Sequence, residues 1–475
     1  MRRTTVALLV VAARAGAPPP DYHNGVSLGG WLLTEPSWMY DRFSAPAEAD
    51  LVAQLRRTSD AFAVRTMQNH WRGYIPDAAW DALVSFGATH VRIPVGFWIV
   101  EPPVVVVEPS ARGGYYSYGF NHEGFVTGGM NELEAALAKL AARGIKALID
   151  LHAAPGGASH CSSYAGWQIS DAPLFWTGTP PPSNATAIAS SCGGPYRTSR
   201  GNAATWMQVG EDALRALADW VVGLEAGPLA GTVVGLEVIN EPGLGFDGVQ
   251  PDIERLLVGI VPQLQARLAG TAVNVTLNFI GPNDVNAGAF VASQVAAGVF
   301  NASALLIDYH QYYNWDGPLG WAQLAQKVCS ITAAASPWAQ YTVANLPVVV
   351  GEWSDSTNLG ARAFTDLSNA TIVGHLRTLF ANQMSSMSAR GGGSPGAVGQ
   401  HHWALRMGSG WDPRPTAEAP DGAQAPGTAW DTSAPGFSPA VWNLGELIRV
   451  GVARPLAELR VTGVCACDGC SGGGA

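Results

Sequence analysis

Two glutamates sit where chemistry can converge. Glu241 follows the apolar run Val233 to Asn240 as part of Asn240-Glu241-Pro242, and Glu352 closes the run Pro347 to Trp353. Two carboxylates facing each other across a cleft suit cleavage of a glycosidic bond. One starts protonated and gives its proton to the leaving oxygen; the other starts ionised and attacks the anomeric carbon. Carboxyl groups ~5–5.5 Å apart lead to retention, and ~6.5–9.5 Å to inversion.

Other polar side chains collect at matching places. Arg92 lies in the run His90 to Val95, His152 ends Lys146 to His152, and His310 and Tyr312 end Leu305 to Tyr312. Arg92 is a fixed cation that can keep one carboxylate ionised, and Tyr312 can donate a hydrogen bond to the same group. His310 is two residues from Tyr312, so the two share a strand face. Asn240 carries an amide suited to a sugar hydroxyl. Taken singly, each has a plainer reading: Arg92 in a structural ion pair, His152 as a buried hydrogen-bonded ring, a lone Glu as a strand-end residue. Their recurrence at corresponding strand ends is what favours a site.

The elements needed to place them are legible. Eight short apolar runs alternate with amphipathic helical stretches: Gly25 to Trp31, His90 to Val95, Lys146 to His152, Val233 to Asn240, Val273 to Phe279, Leu305 to Tyr312, Pro347 to Trp353 and Val398 to Leu405. Helical periodicity marks Met130 to Arg143 and Asp212 to Leu224, where Leu214, Leu217, Val221 and Leu224 share a face. The alternation predicts an α/β fold, a (β/α)8 TIM barrel with long loops at its C-terminal face. In such a barrel the strand ends meet at one mouth. Strands four and seven lie on opposite sides of the ring, so Glu241 and Glu352 can face each other across a sugar. The loop-like stretches Pro155 to Thr205, Arg390 to Gly396 and Gly408 to Pro439 would wall that mouth.

Composition narrows the partners. Charged residues are 13% of the 475, and the net charge of −10 excludes the basic patches that nucleic acid or an anionic membrane requires. Seventeen tryptophans offer flat faces for sugar rings, or simply core. No run reaches the ~18 uncharged apolar residues of a membrane span. Arg2, Arg3, the apolar Val6 to Ala13 and Ala13-Arg14-Ala15 read as a signal peptide over residues 1–15. Asn-x-Ser/Thr triplets at Asn184, Asn274, Asn301 and Asn369 are compatible with a secreted glycoprotein. Among six cysteines, Cys161 and Cys192 flank an insertion that a disulfide would close, Cys329 stands alone, and Cys465, Cys467 and Cys470 lie in a Gly-rich tail. We expect Cys161 to pair with Cys192 and Cys329 with a tail cysteine. The tail spacing matches no common zinc pattern, and His401 and His402, adjacent on a strand, point to opposite faces. The expected organisation is a catalytic domain over 16–455 and a Cys/Gly-rich tail over 456–475.

Several motifs in order resemble the family 5 glycoside hydrolases, in particular their exo-β-1,3-glucanase branch. They are "GVSLGGWLLTEP" from Gly25, "NHW" at Asn69 to Trp71, "VSFGATHVRIPVGFW" from Val84 to Trp98, "IDLHAAPG" from Ile149, "GLEVINEP" from Gly235, "HQYY" from His310 and "VVGEWS" from Val349. The resemblance spans about Gly25 to Val450. It implies Glu241 as acid/base and Glu352 as nucleophile of a retaining mechanism, with Arg92, His152, Asn240, His310, Tyr312 and Trp403 around the sugar. It also implies Glu35 as the grip on a terminal glucose and Trp315 as an aromatic at the pocket mouth. No metal or organic cofactor is implied. The expected substrate is β-glucan, β-1,3-linked and attacked from the chain end, by a monomeric secreted or cell-wall protein. Another β-linked glucan or glucoside (β-1,4, β-1,6, glycolipid) is the alternative within the class, and a non-catalytic carbohydrate-binding barrel the alternative outside it. The chain departs from the branch at Gly157 to Cys161 and in "HHWALRMGSGW" from His401.

Overall fold

All eight apolar runs contain strands of one closed sheet. They are β1 (His23–Ser27), β2 (His90–Gly96), β3 (Lys146–Ala153), β4 (Val233–Glu237), β5 (Asn274–Asn278), β6 (Leu305–Tyr313), β7 (Val348–Thr357) and β8 (Gly399–His402). Each pairs in parallel with its sequence neighbours, and β8 pairs back onto β1, which closes a (β/α)8 barrel. The computed structural model describes residues 22–36, 45–160, 162–168, 173–181, 186–188, 196–198, 200, 204–280, 286–313, 319–330, 340–341, 346–357, 366–388, 397–406 and 442–454.

Strands covered on both faces must be apolar almost throughout, and β3 is buried at every position after Lys146. The outer layer comes from α1 (Glu48–Arg56), α2 (Asp60–Gly73), α3 (Asp77–Phe86), α4 (Met130–Ala141), α5 (Trp206–Leu224), α6 (Gln250–Arg267), α7 (Ala287–Ala296), α8 (Trp321–Ser330), α9 (Ala370–Ser388) and α10 (Leu444–Arg449). α5 begins six residues before the periodicity first shows. A capping box, in which Thr205 and Gln208 satisfy each other's backbone N–H, sets that start. Leu214, Leu217 and Val221 of α5 are buried, and Leu224 is partly buried at its end.

The runs and the strands differ at their ends. β1 stops at Ser27 rather than Trp31, because the chain turns at Gly30 with φ +71°. β4 stops at Glu237, so Asn240 and Glu241 lie on the loop beyond it. Two short antiparallel hairpins were not evident from periodicity: Val105–Glu108 with Tyr118–Phe120, and Thr186–Ile188 with Tyr196–Thr198. They belong to the loops after β2 and β3, on the side of the barrel where the strands end. Arg200 ties those two loops together, bonding Glu101 at 2.5 Å and Glu123 at 2.9 Å.

Among the described residues the tryptophans are mostly core. Trp31, Trp80, Trp98, Trp167, Trp206 and Trp353 are each at most 2% exposed. His401 lies over Gly25 and beside the His23 ring, whereas His402 packs on Trp353 and on Phe380 of α9. No helix among the described residues is long and apolar enough to cross a membrane. Residues 1–21 and the tail from 455 lie outside the described residues, so the signal-peptide and tail expectations fall there. Cys329 is disulfide-bonded. The other five cysteines, and with them the expected pairings, lie outside the described residues.

Candidate active site

Arg92, third residue of β2, organises the floor of the barrel mouth. It is fully buried, and its Nε, Nη1 and Nη2 all donate to carboxylates or to one amide. Nη1 donates to Glu352 Oε1 at 2.8 Å, Nε and Nη2 form a fork on Glu237 at 2.8 and 3.0 Å, and Nη2 also donates to Asn240 Oδ1 at 2.8 Å. Asp150 Oδ2 lies 3.0 Å from Nη2, and Asp308 Oδ2 lies 3.5 Å from Nε. Burial alone would favour losing the guanidinium proton. The carboxylates of Asp150, Glu237, Glu352 and Asp308 outweigh it and push the pKa well up, so Arg92 is a permanent cation.

Glu352 and Glu241 come together here with His310. Glu352 receives Arg92 on one oxygen and the Tyr312 hydroxyl, at 2.8 Å, on the other. Glu241 Oε1 meets His310 Nδ1 at 2.8 Å. An oxygen of each glutamate and a ring nitrogen of His310 all lie within 4.8 Å of one another. Glu241 is presented by an unusual backbone: its φ is +41°, a conformation that costs a side-chain-bearing residue energy. Asn278 of β5 accepts its N–H at 2.9 Å, and Ser159 donates to its carbonyl at 2.7 Å, so both sides of the strained peptide are held.

The two glutamates titrate as a unit with His310. For Glu352, burial, with the neighbouring Glu241, outweighs the charges of His310 and Arg92, so the carboxyl is pushed up. For Glu241, burial is outweighed by the hydrogen bond and charge of the imidazolium, which hold the carboxyl below its usual range. Burial would strip His310 of its proton, but Glu352 and Asp308 keep it charged. The shared proton therefore rests on His310, one hydrogen bond from Glu241.

The remaining expected residues fall as follows. His152 Nδ1 binds Asp150 Oδ2 at 2.5 Å, and Asn240 Nδ2 approaches His152 Nε2 at 3.4 Å. Trp403, the residue after β8, stacks on the His152 ring with centroids 5.4 Å apart and planes 7° from parallel. Glu35, on the loop after β1, is 4% exposed, and its Oε1 has no hydrogen-bond partner. Burial pushes its carboxyl up to about 7; His152 pulls it down, and Glu352, Glu241 and Asp150 push it further up. Thus Glu35 feels both central glutamates. Trp315 lies outside the described residues.

Four participants escaped sequence reasoning. Glu237 and Asp308 supply the carboxylates beneath Arg92. Tyr164, from the segment after the departure at Gly157 to Cys161, sets its ring edge against His152 at 5.4 Å, and burial beside Glu241 raises its hydroxyl pKa. Trp442 packs on Tyr312 with centroids 5.4 Å apart. A signal existed for Asp308: it lies two residues before His310 and so shares that face of β6. Two buried groups converge acidic and imidazole atoms, Glu237/Asp308/His310 and Glu241/His310/Glu352. Both share His310 and lie against Arg92, so guanidinium and protons already balance their charge.

Known proteins bear on this geometry. No family model matches the chain. A probable glucan 1,3-beta-glucosidase A of Aspergillus niger is 25% identical over 391 residues, covering 78% of this chain and 77% of the relative. The chain is a homologue of that enzyme. A probable glucan 1,3-beta-glucosidase A of Aspergillus clavatus is 26% identical, over 70% of this chain and 64% of its own. Among solved structures, rutinosidase from Aspergillus niger superposes with a TM-score of 0.56 at 16% identity, covering 91% of this chain and 98% of that one. That likeness concerns the fold.

Proposed function

We propose that this protein is a retaining β-glycosidase that acts on β-glucan, from the chain end and on β-1,3 linkages. The observation that carries the reading is the unequal treatment of two glutamates an oxygen pair of which lies within 4.8 Å. Glu352 holds the two donors that favour an ionised nucleophile, Arg92 and Tyr312. Glu241 meets His310, a group able to lend and reclaim a proton. The spacing fits retention rather than inversion, which leaves room for a water between the carboxyl groups.

In the first step a Glu352 oxygen attacks the anomeric carbon as the glycosidic bond breaks. The leaving oxygen takes its proton through Glu241, which receives it from His310 across 2.8 Å and is left ionised. In the second step Glu241 takes a proton from water, which displaces Glu352 from the sugar. Trp403 and His152 form one wall for the ring, and Asn240, fixed by Arg92, offers its amide. Glu35, buried with a bare oxygen, suits the hydroxyls of a terminal glucose, which supports attack from the chain end. The names of the two relatives support a β-1,3-glucan. Secretion and action as a single chain belong to the same proposal.

Product analysis by chromatography on laminarin, cellulose, pustulan and mannan in parallel, alongside an aryl β-glucoside, tests the reading. Glucose released first from laminarin is the expected outcome. Release from another polymer alone would reassign the linkage, and binding without turnover of any substrate would reduce the barrel to a carbohydrate-binding protein.

A further inference from the structure

The partnership of β6 and β7 contains an irregularity at the residue before the nucleophile. Tyr309 pairs with Val350 and His310 with Glu352, so Gly351 is an extra residue on β7. Such a bulge leaves its N–H out of the ladder and changes which face the next side chain meets; without it Glu352 would turn to the opposite face. The orphaned Gly351 N–H donates to Asp308 Oδ1 at 2.7 Å. Any side chain at Gly351 would collide with the Asp308 carboxylate, so the glycine vacates the space that Asp308 fills. The other oxygen, Asp308 Oδ2, lies 3.5 Å from Arg92 Nε and 3.5 Å from His310 Nε2. Arg92 holds Glu352, and His310 holds Glu241.

Building on the retaining reading above, we propose that Asp308 is a positioning residue for both catalytic glutamates. One oxygen pins the bulge that turns Glu352 toward Arg92 and Glu241, and the other lies at ion-pair distance from the two cationic groups that control Glu352 and Glu241. Asp308 thereby joins backbone geometry and proton placement in a single side chain. The groups facing this centre are Arg92 from β2, Asp150 and His152 from β3, Glu237 and Glu241 from β4 and its loop, and Glu352 from β7.

Two variants separate the two jobs. In Asp308→Asn the amide oxygen still accepts from Gly351, but the charge is gone. Loss of an anion next to His310 weakens proton binding at His310, Glu241 and Glu352 alike. The bell of kcat/KM against pH should move to lower pH by about one unit or more, with circular dichroism and Tm near wild type. In Asp308→Ala the bulge also loses its acceptor, and kcat should fall about a hundredfold with KM little changed, as a misplacement near 1 Å does. Asp308→Asn should recover most of that kcat. Wild-type pH limbs in Asp308→Asn, or a full kcat per folded molecule in Asp308→Ala, would overturn the inference while an active wild type leaves the proposed function standing. A wild type inactive on every β-glucoside would overturn that function and this inference with it.

Discussion

Glu35 offers a test in which stability and activity should move in opposite directions. Its carboxyl is buried and raised from 4.5 to about 7, chiefly by loss of solvent. A lift of that size means that ionised Glu35 costs the folded state roughly 3 kcal/mol. The sign follows from linkage. The folded pKa exceeds the unfolded one, so no cost exists below about pH 4.5, where both states are protonated. Between there and pH 7 the unfolded chain ionises and the folded one does not, so stability is lost as pH rises and the full loss is reached above pH 7. Glu35→Gln removes the group that titrates. Its Tm should match wild type near pH 4 and exceed it by a few degrees near pH 8.

Activity should fall. A carboxylate meeting two sugar hydroxyls makes charge-assisted bonds of about 1.5–3 kcal/mol each, so their loss should lower kcat/KM on laminari-oligosaccharides ten- to a hundredfold or more. The assay pairs glucose release with thermal unfolding at the two pH values, for Glu35→Gln and Glu35→Ala. A purely packing role would lower Tm at both pH values and reduce activity only through the fraction unfolded. Early accumulation of longer oligosaccharides, with Glu35→Ala near wild-type activity, would refute the terminal grip and point to an open groove walled by the altered segment Gly157 to Cys161.

Other outcomes follow from the same geometry. Glu352→Ala should abolish turnover and, with azide, release the α-glycosyl product, whereas Glu241→Ala should keep activity on good leaving groups and release the β-product; swapped products would reverse the two roles. Burial holds His90, stacked on His23 at 3.7 Å, down at about 3, helped by the nearby charges of His23 and Lys146. The unfolded chain binds that proton first, so His90 should cost stability at about 1.4 kcal/mol per pH unit as pH falls below about 6.5; His90→Gln should flatten this acid limb in unfolding curves. Non-reduced peptide mapping should join Cys161 to Cys192 and Cys329 to a cysteine of the tail; six free thiols would contradict both the pairings and a secreted protein.

The barrel was legible because parallel strands buried on both faces must be short, apolar and regularly spaced, and nothing else in the chain imitates eight of them. The polar residues at their ends were legible for the complementary reason: His152, His310, Tyr312 and Glu352 interrupt apolar runs where burial alone would not put them. The tryptophans were ambiguous, since an indole suits a sugar face and a buried gap equally, and only packing distinguishes Trp403 against His152 from Trp80 in the core. Tyr164 and Trp442 stayed hidden because they reach the site from loops, where periodicity carries no information.

The deeper gap lies under the site. Alternation along β6 places Asp308, His310 and Tyr312 on one face, so a polar line of three is readable from spacing alone. What Asp308 touches is not, because its partner Gly351 is 43 residues away and is recognised through a backbone N–H that every residue but proline carries. The bulge is equally silent, since a glycine before Glu352 is compatible with a straight strand. Yet the bulge decides which face Glu352 presents, and a shift of one residue in a strand reverses every side chain that follows. A sequence can therefore nominate both glutamates while leaving open whether they meet. Their meeting depends on two local irregularities, the +41° φ at Glu241 and the extra residue at Gly351, each held by a side chain from a neighbouring strand, Asn278 for the first and Asp308 for the second. The proposed catalytic geometry thus rests on departures from ideal strands, and the side chains that hold those departures are where substitutions should damage activity while sparing the fold.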